Sequence, residues 1–169
     1  MKLYLLRHGS AVEIGERGVK LDEERMLTRK GRECTAEVIR ALRNVCRPQC
    51  IWTSPLVRAR ETAEIAREVL ATEAPLTSLE HLLPGRGAAR LLRWLSTRKE
   101  DSLMLVGHMP DLAVLAASLA LSVQSEGIAL KKSGVCCIEF EKRIREGEGH
   151  LAWLVTPSLL SLAKTGDRR

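Results

Sequence analysis

Two histidines and two arginines stand where short apolar runs of this chain end. Arg7-His8-Gly9 follows Leu3-Tyr4-Leu5-Leu6, Ser54-Pro55-Leu56-Val57-Arg58 follows Cys50-Ile51-Trp52-Thr53, and Gly107-His108 follows Leu103-Met104-Leu105-Val106. These residue types suit phosphoryl transfer, in which charge spreads over the equatorial oxygens and catalysis is mostly positioning and electrostatic stabilisation. Arg7 and Arg58 can each fork onto two oxygens while staying charged. A neutral imidazole at His8 can attack phosphorus in line with the leaving group, splitting one hard hydrolysis into two easier steps. His108 then adds a contact that strengthens as charge develops. Taken singly each signal is weak, since an isolated buried histidine is usually a hydrogen-bonded core residue; their joint placement is what carries the reading.

The elements that must bring these residues together follow from periodicity. Runs such as Leu3 to Leu6 read as strands buried on both faces, and in open α/β sheets ligands bind beyond the carboxyl ends of the strands. Thr28 opens a helical pattern with Val38, Ile39, Leu42 and Val45 on its apolar face. Ser54-Pro55 reads as an N-cap and first helical position, with Ala59, Ala63, Ala66, Val69 and Leu70 continuing the face. Arg58 then lies in a first helical turn, where free amides and the dipole favour an anion. Residues 72–87 hold Pro75, Pro84, Gly85 and Gly87 and read as a substrate-side loop. A short helix with Leu91, Leu92 and Leu95 follows, then the strand before His108 and a helix rich in Leu and Ala. Val135 to Phe140 and His150 to Val155 read as a hairpin, and a last helix starts near Pro157. The sum is an α/β three-layer sandwich with a mainly parallel central sheet and an antiparallel edge pair.

Composition narrows the function classes. A chain of 169 residues, 45% hydrophobic and 28% charged, is expected to form one domain spanning 1–169. The apolar run at Leu3 to Leu6 is too short for a signal peptide core or a membrane span, so a cytoplasmic protein without membrane association is expected. The net charge of +6 allows nucleic acid, an anionic membrane surface or an anionic small substrate as partner. Aromatic residues make up only 3% and the basic residues are interspersed with acids, as in Glu139-Phe140-Glu141-Lys142-Arg143, which argues against nucleic acid. Cys34, Cys46, Cys50, Cys136 and Cys137 form no CxxC pair and read as buried free thiols. On a strand, Cys136 and Cys137 would point to opposite faces.

At Arg7-His8-Gly9, Ser54-Pro55-x-x-Arg58-Ala59-x-x-Thr62-Ala63, Gly107-His108-x-Pro110 and Leu27-Thr28-x-x-Gly31, the sequence resembles the histidine phosphatase superfamily, whose fold is that of cofactor-dependent phosphoglycerate mutases. The short length and the ending Trp153-Leu154-Val155-Thr156-Pro157 with Leu162-Ala163-Lys164 look most like its phosphohistidine phosphatase branch. The resemblance implies His8 as nucleophile, Arg7, Arg58 and His108 as the rest of the phosphate pocket, and Arg25 as a further substrate contact. It implies a phosphorylated protein partner, such as a histidine-containing phosphotransfer domain or a phosphocarrier. No cofactor or metal is called for, since the arginines supply the positive charge that Mg2+ supplies elsewhere.

Many members of the family protonate a leaving alkoxide with a carboxylic acid from the loop after the second helix. Glu80 is the nearest candidate here, with a solvated loop residue as the equal alternative; Asp111 is a second option, more simply explained by capping. An alkoxide leaves badly without a donated proton. A phosphohistidine can instead be protonated on its other ring nitrogen and leave as neutral imidazole, so a weak or absent acid would suit that substrate. Two rival functions share the pocket: a phosphatase or mutase of small phosphate monoesters, and a non-catalytic module that binds phosphoproteins. The second has no use for a nucleophile at His8. Cys34 and Arg40 match a Cys-x5-Arg spacing, but the span lacks glycine and lies in a predicted helix, where backbone amides cannot wrap a phosphate. Gly85-Arg86-Gly87 follows no convincing strand and reads as a flexible loop rather than a dinucleotide site.

Overall fold

The computed structural model describes residues 1–122 and 127–166. Its centre is a six-stranded sheet of β1 (Lys2–Arg7), β2 (Cys50–Thr53), β3 (Leu76–Ser78), β4 (Ser102–Gly107), β5 (Val135–Glu139) and β6 (His150–Val155), in the order β3-β2-β4-β1-β5-β6. The first four strands run parallel, while β5 pairs antiparallel with both β1 and β6. The central strands β1 and β4 are apolar on both faces because helices cover both. On one face, Leu3, Leu5, Leu103 and Leu105 pack with α3 (Ala88–Leu95) and α4 (Asp111–Leu121) through Leu91, Leu95, Leu112 and Leu115. On the other, Tyr4, Leu6, Met104 and Val106 meet Val38, Ile39 and Leu42 of α1 (Arg29–Leu42) and Ala59, Ala63 and Ala66 of α2 (Val57–Leu70). Leu160 of α5 (Pro157–Gly166) joins that second layer. Each fully buried Leu or Ile is worth roughly 1.5–3 kcal/mol, so the two apolar layers fix where the strand ends lie. Among the described residues no helix is long and apolar enough to cross a membrane.

The sandwich and its edge pair follow the sequence pattern, with local differences. The helix expected at Ser54-Pro55 begins at Val57, and Ser54 is fully buried with its hydroxyl turned to His108. α1 stops at Leu42, leaving Val45 53% exposed instead of on the apolar face. The turn-rich stretch contains β3, whose Thr77 and Ser78 are exposed and therefore show no apolar signal, and a 3-10 turn at Glu80–Leu82. Four of the five cysteines are buried and Cys34 is half-buried; all are free, and Cys136 and Cys137 face opposite layers. Cys34 and Arg40 lie within α1.

Candidate active site

Register brings the key strand ends level. Arg7 stands opposite Gly107, Thr53 opposite Val106, and Ser78 opposite Thr53. α1 leaves β1 toward one face of the sheet and α4 leaves β4 toward the other. Because β1 and β4 are neighbours, their carboxyl ends form a topological switch point, the place where open α/β sheets bind ligands. His8 and His108 follow those two strand ends directly, with ring centroids 4.9 Å apart and planes inclined by 52°. The His8 amide donates to the Gly107 carbonyl at 3.1 Å, tying the two strand ends together.

The His8 loop is held from several directions. His8 Nδ1 lies 2.7 Å from the Gly9 carbonyl oxygen. A carbonyl can only accept, so Nδ1 carries the ring proton and Nε2 keeps its lone pair. The Gly9 amide donates to Thr62 Oγ1 at 3.1 Å, and that hydroxyl donates to the Arg58 carbonyl at 2.7 Å, so α2 anchors the loop. Thr28 caps α1 by accepting from the Gly31 amide at 2.9 Å, while its own amide donates to the Ser10 carbonyl. A Cβ on Gly31 would lie 2.1 Å from that Ser10 oxygen, which explains the glycine in Leu27-Thr28-x-x-Gly31. The Ser133 amide reaches the carbonyls of Arg7 and His8, and its hydroxyl meets Thr35 Oγ1 at 2.8 Å.

Both imidazoles are neutral near pH 7. Burial pushes the His8 pKa down to about 4 against the opposing pull of the Gly9 carbonyl, and the charges of Arg58, Arg7 and Lys132 add to the depression. Burial, then the neighbouring His8 and Arg58, push His108 down to about 3. His108 Nε2 is 2.9 Å from Ser54 Oγ. When that hydroxyl donates, the proton of His108 resides on Nδ1, which is buried without a hydrogen-bond partner. Arg7 Nη1 donates to the Leu130 carbonyl at 2.9 Å, and its Nε is likewise buried without a partner. Buried donors left unpaired are costly, and an anionic oxygen is the acceptor that suits both.

Arg58, only 5% exposed, is held by a residue that sequence reasoning did not single out. Its Nη1 donates to the Asp22 carbonyl at 2.7 Å and its Nη2 to Asp22 Oδ2 at 2.9 Å. Arg25 donates from Nη1 to Asp22 Oδ1 at 3.1 Å, from Nη2 to Glu13 at 2.9 Å and from Nε to the Val12 carbonyl at 2.7 Å. Every nitrogen of Arg25 thus has a partner inside its own loop, and Arg25 reaches the pocket through Asp22. Burial raises the Asp22 pKa, but hydrogen bonds from Arg25 and Arg58 outweigh it and hold the carboxyl below its usual range. Lys132, exposed on the turn beside Ser133, was also unmarked by any sequence pattern.

The two acid candidates differ in setting. Glu80 is exposed and opens the 3-10 turn directly after β3, at the same end of the sheet as His8. Leu82 of that turn leans on the end of β4, 3.4 Å from where a Gly107 Cβ would stand. Asp111 does not cap α4 through its side chain. Its carboxylate accepts from the Gly85 amide at 2.7 Å and the Gly87 amide at 3.3 Å, pinning the loop before α3.

Residues 3–83 match the model of the histidine phosphatase superfamily (branch 1), a span that holds Arg7, His8, Arg25, Arg58 and Glu80. Over 139 residues the chain is 34% identical to an uncharacterized protein of Picosynechococcus sp. (strain PCC 7002), covering 80% of this chain and 82% of that one. The fold is similar to that of the protein histidine phosphatase SixA complexed with tungstate, with a TM-score of 0.81 at 21% identity over 95% of this chain and 99% of the other. It is also similar to that of a mycobacterial glucosyl-3-phosphoglycerate phosphatase, with a TM-score of 0.59 at 15% identity over 89% and 96%. At these identities the likeness to the two solved structures is one of fold.

Proposed function

The chain belongs to the histidine phosphatase superfamily and is a phosphatase, and from that premise we propose that it dephosphorylates phosphohistidine on a protein through a phosphoryl group carried by His8. The observation that carries this reading is the state of the imidazole. Nδ1–H is committed to the Gly9 carbonyl and the pKa stands at about 4, so Nε2 is an unprotonated nucleophile across the neutral range. In the first step Nε2 forms a bond to phosphorus while the bond to the substrate nitrogen breaks. Protonated on its other ring nitrogen, the leaving histidine departs as neutral imidazole. In the second step a water oxygen attacks phosphorus, the bond to Nε2 breaks, and orthophosphate and neutral His8 result. Arg7, Arg58 and His108 surround the equatorial oxygens, where fixed positive charge and hydrogen-bond donors lower the barrier.

Phosphohistidine is favoured because its departure makes small demands on an acid, and Glu80 is solvated. The likeness in fold to a protein histidine phosphatase supports the same choice. A histidine-containing phosphotransfer domain or a phosphocarrier, met in the cytoplasm, is the partner this chemistry fits. The second reading, hydrolysis of small phosphate monoesters, draws on the position of Glu80 at the His8 end of the sheet, and a glucosyl-3-phosphoglycerate phosphatase shares the fold.

The test compares the specificity constants for a phosphohistidine-bearing protein and a small phosphomonoester, with EDTA present and His8→Ala as control. A ratio strongly favouring phosphohistidine and abolished by His8→Ala is expected. Comparable or better turnover of the ester would keep the His8 chemistry and move the substrate to the second reading.

A further inference from the structure

We propose that Asp22 is a positioning residue for the phosphoryl pocket, holding the Arg58 guanidinium in register and coupling it to Arg25 and the loop from Glu13 to Arg25. This rests on Arg58 being a phosphate-binding residue, as the proposed function has it. A charged side chain buried to 5% exposure needs a partner, and among the described residues Asp22 is the acidic group that meets Arg58. Asp22 grips both terminal nitrogens at once, one through its main-chain oxygen and one through its carboxylate. That two-point contact fixes the plane of the guanidinium and leaves further N–H donors, Nε among them, for an incoming oxyanion.

The second carboxylate oxygen is taken by Arg25, which is itself stapled to Val12 and Glu13. The orientation of Arg58 is therefore set by a loop close in sequence to His8 and not by its own helix. Since Asp22 is negative, it would weaken anion binding if it acted only through its charge. The prediction that its loss weakens phosphate binding is thus specific to positioning.

The experiment measures kcat/KM toward a small aryl phosphomonoester, the inhibition constant of inorganic phosphate and the thermal midpoint. It uses wild type, Asp22→Asn, Arg58→Lys and the double variant. Asn keeps the shape and one acceptor oxygen but not the charge that serves two arginines. Lysine keeps the charge of Arg58 but not its fork. Asp22→Asn is expected to lower kcat/KM and weaken phosphate inhibition by about tenfold or more, and to lower the midpoint as well, because buried Arg58 loses the charge of its partner. In the Arg58→Lys background the same substitution should change both by less than about twofold, because residues acting as one unit are not additive. An equal loss in both backgrounds, no loss in either, or tighter phosphate binding by Asp22→Asn would overturn the inference. Wild-type constants in Arg58→Lys itself would instead remove Arg58 from the phosphate pocket, and the pocket assignment with it.

Discussion

His8 and His108 face each other across the ends of two adjacent parallel strands, 4.9 Å between ring centroids, and each is tied by one nitrogen to a neighbour it cannot easily leave. His8 donates a hydrogen bond from Nδ1–H to the Gly9 carbonyl and His108 sets Nε2 against the Ser54 hydroxyl. The arrangement leaves Nε2 of His8 unprotonated, as the proposed nucleophile requires, in a setting where burial makes protonation of either imidazole unfavourable.

The acid limb of activity follows from that setting. Below the His8 pKa of about 4 the nucleophile is protonated, so kcat/KM for the free enzyme should fall near pH 4 and not near the ordinary 6.5. A pH profile breaking near 6.5 would show that the buried state of His8 is not the reactive one.

The same shifts make stability depend on pH. Both folded pKa values, about 4 and about 3, lie below the ordinary 6.5. Between these limits the unfolded chain binds protons that the folded chain does not, so their contribution is complete above 6.5 and lost as pH falls toward the folded values. Replacing both histidines by asparagine should flatten the stability profile between about pH 6.5 and pH 4, by an amount on the order of a few kcal/mol. Denaturant midpoints across that range, wild type against variant, measure it; parallel curves would contradict the sign.

Ser54→Ala should leave His108 Nε2 without its partner and lower kcat/KM by about tenfold, the worth of one buried hydrogen bond. The thermal midpoint should fall as well. An unchanged kcat/KM would mean that Ser54 does not orient His108.

Gly31→Ala tests the loop below His8. Alanine ordinarily stabilises a helix by up to about 1 kcal/mol over glycine, but here a Cβ would fall 2.1 Å from the Ser10 carbonyl. The overlap should reverse the sign and cost about 1–3 kcal/mol. A thermal melt decides between the two signs.

Glu80→Gln separates the substrates. Loss of this carboxyl should reduce phosphomonoester turnover, where an alkoxide needs a proton, and leave phosphohistidine hydrolysis nearly intact. A loss on phosphohistidine as severe as that of His8→Ala would make Glu80 an obligatory acid for both.

The parts legible in the sequence are those written in short, strong local signals. Unbroken apolar runs mark β1, β2 and β4, and because those strands are parallel, the residues that follow them had to meet. What stayed hidden depends on contacts between distant loops. Ser54 looks like a helix cap, and only the neighbouring strand reveals His108 beside it. Asp22 looks like one acid among several in Asp22-Glu23-Glu24, and its partner Arg58 lies 36 residues away. β3 is a short edge strand with polar, exposed residues, so periodicity cannot see it. Asp111 reads as a capping residue until the glycine loop it pins is placed against it.

The most direct test is to trap the phosphoryl group. Enzyme mixed with a phosphohistidine-bearing protein labelled on phosphorus and quenched in denaturant within one turnover should carry label that is stable to alkali and lost in acid. Peptide mapping should place that label on His8, and His8→Asn should carry none. Label on another residue, label retained by His8→Asn, or turnover with no labelled enzyme under a rapid quench would contradict the assignment of His8 as the phosphoryl carrier.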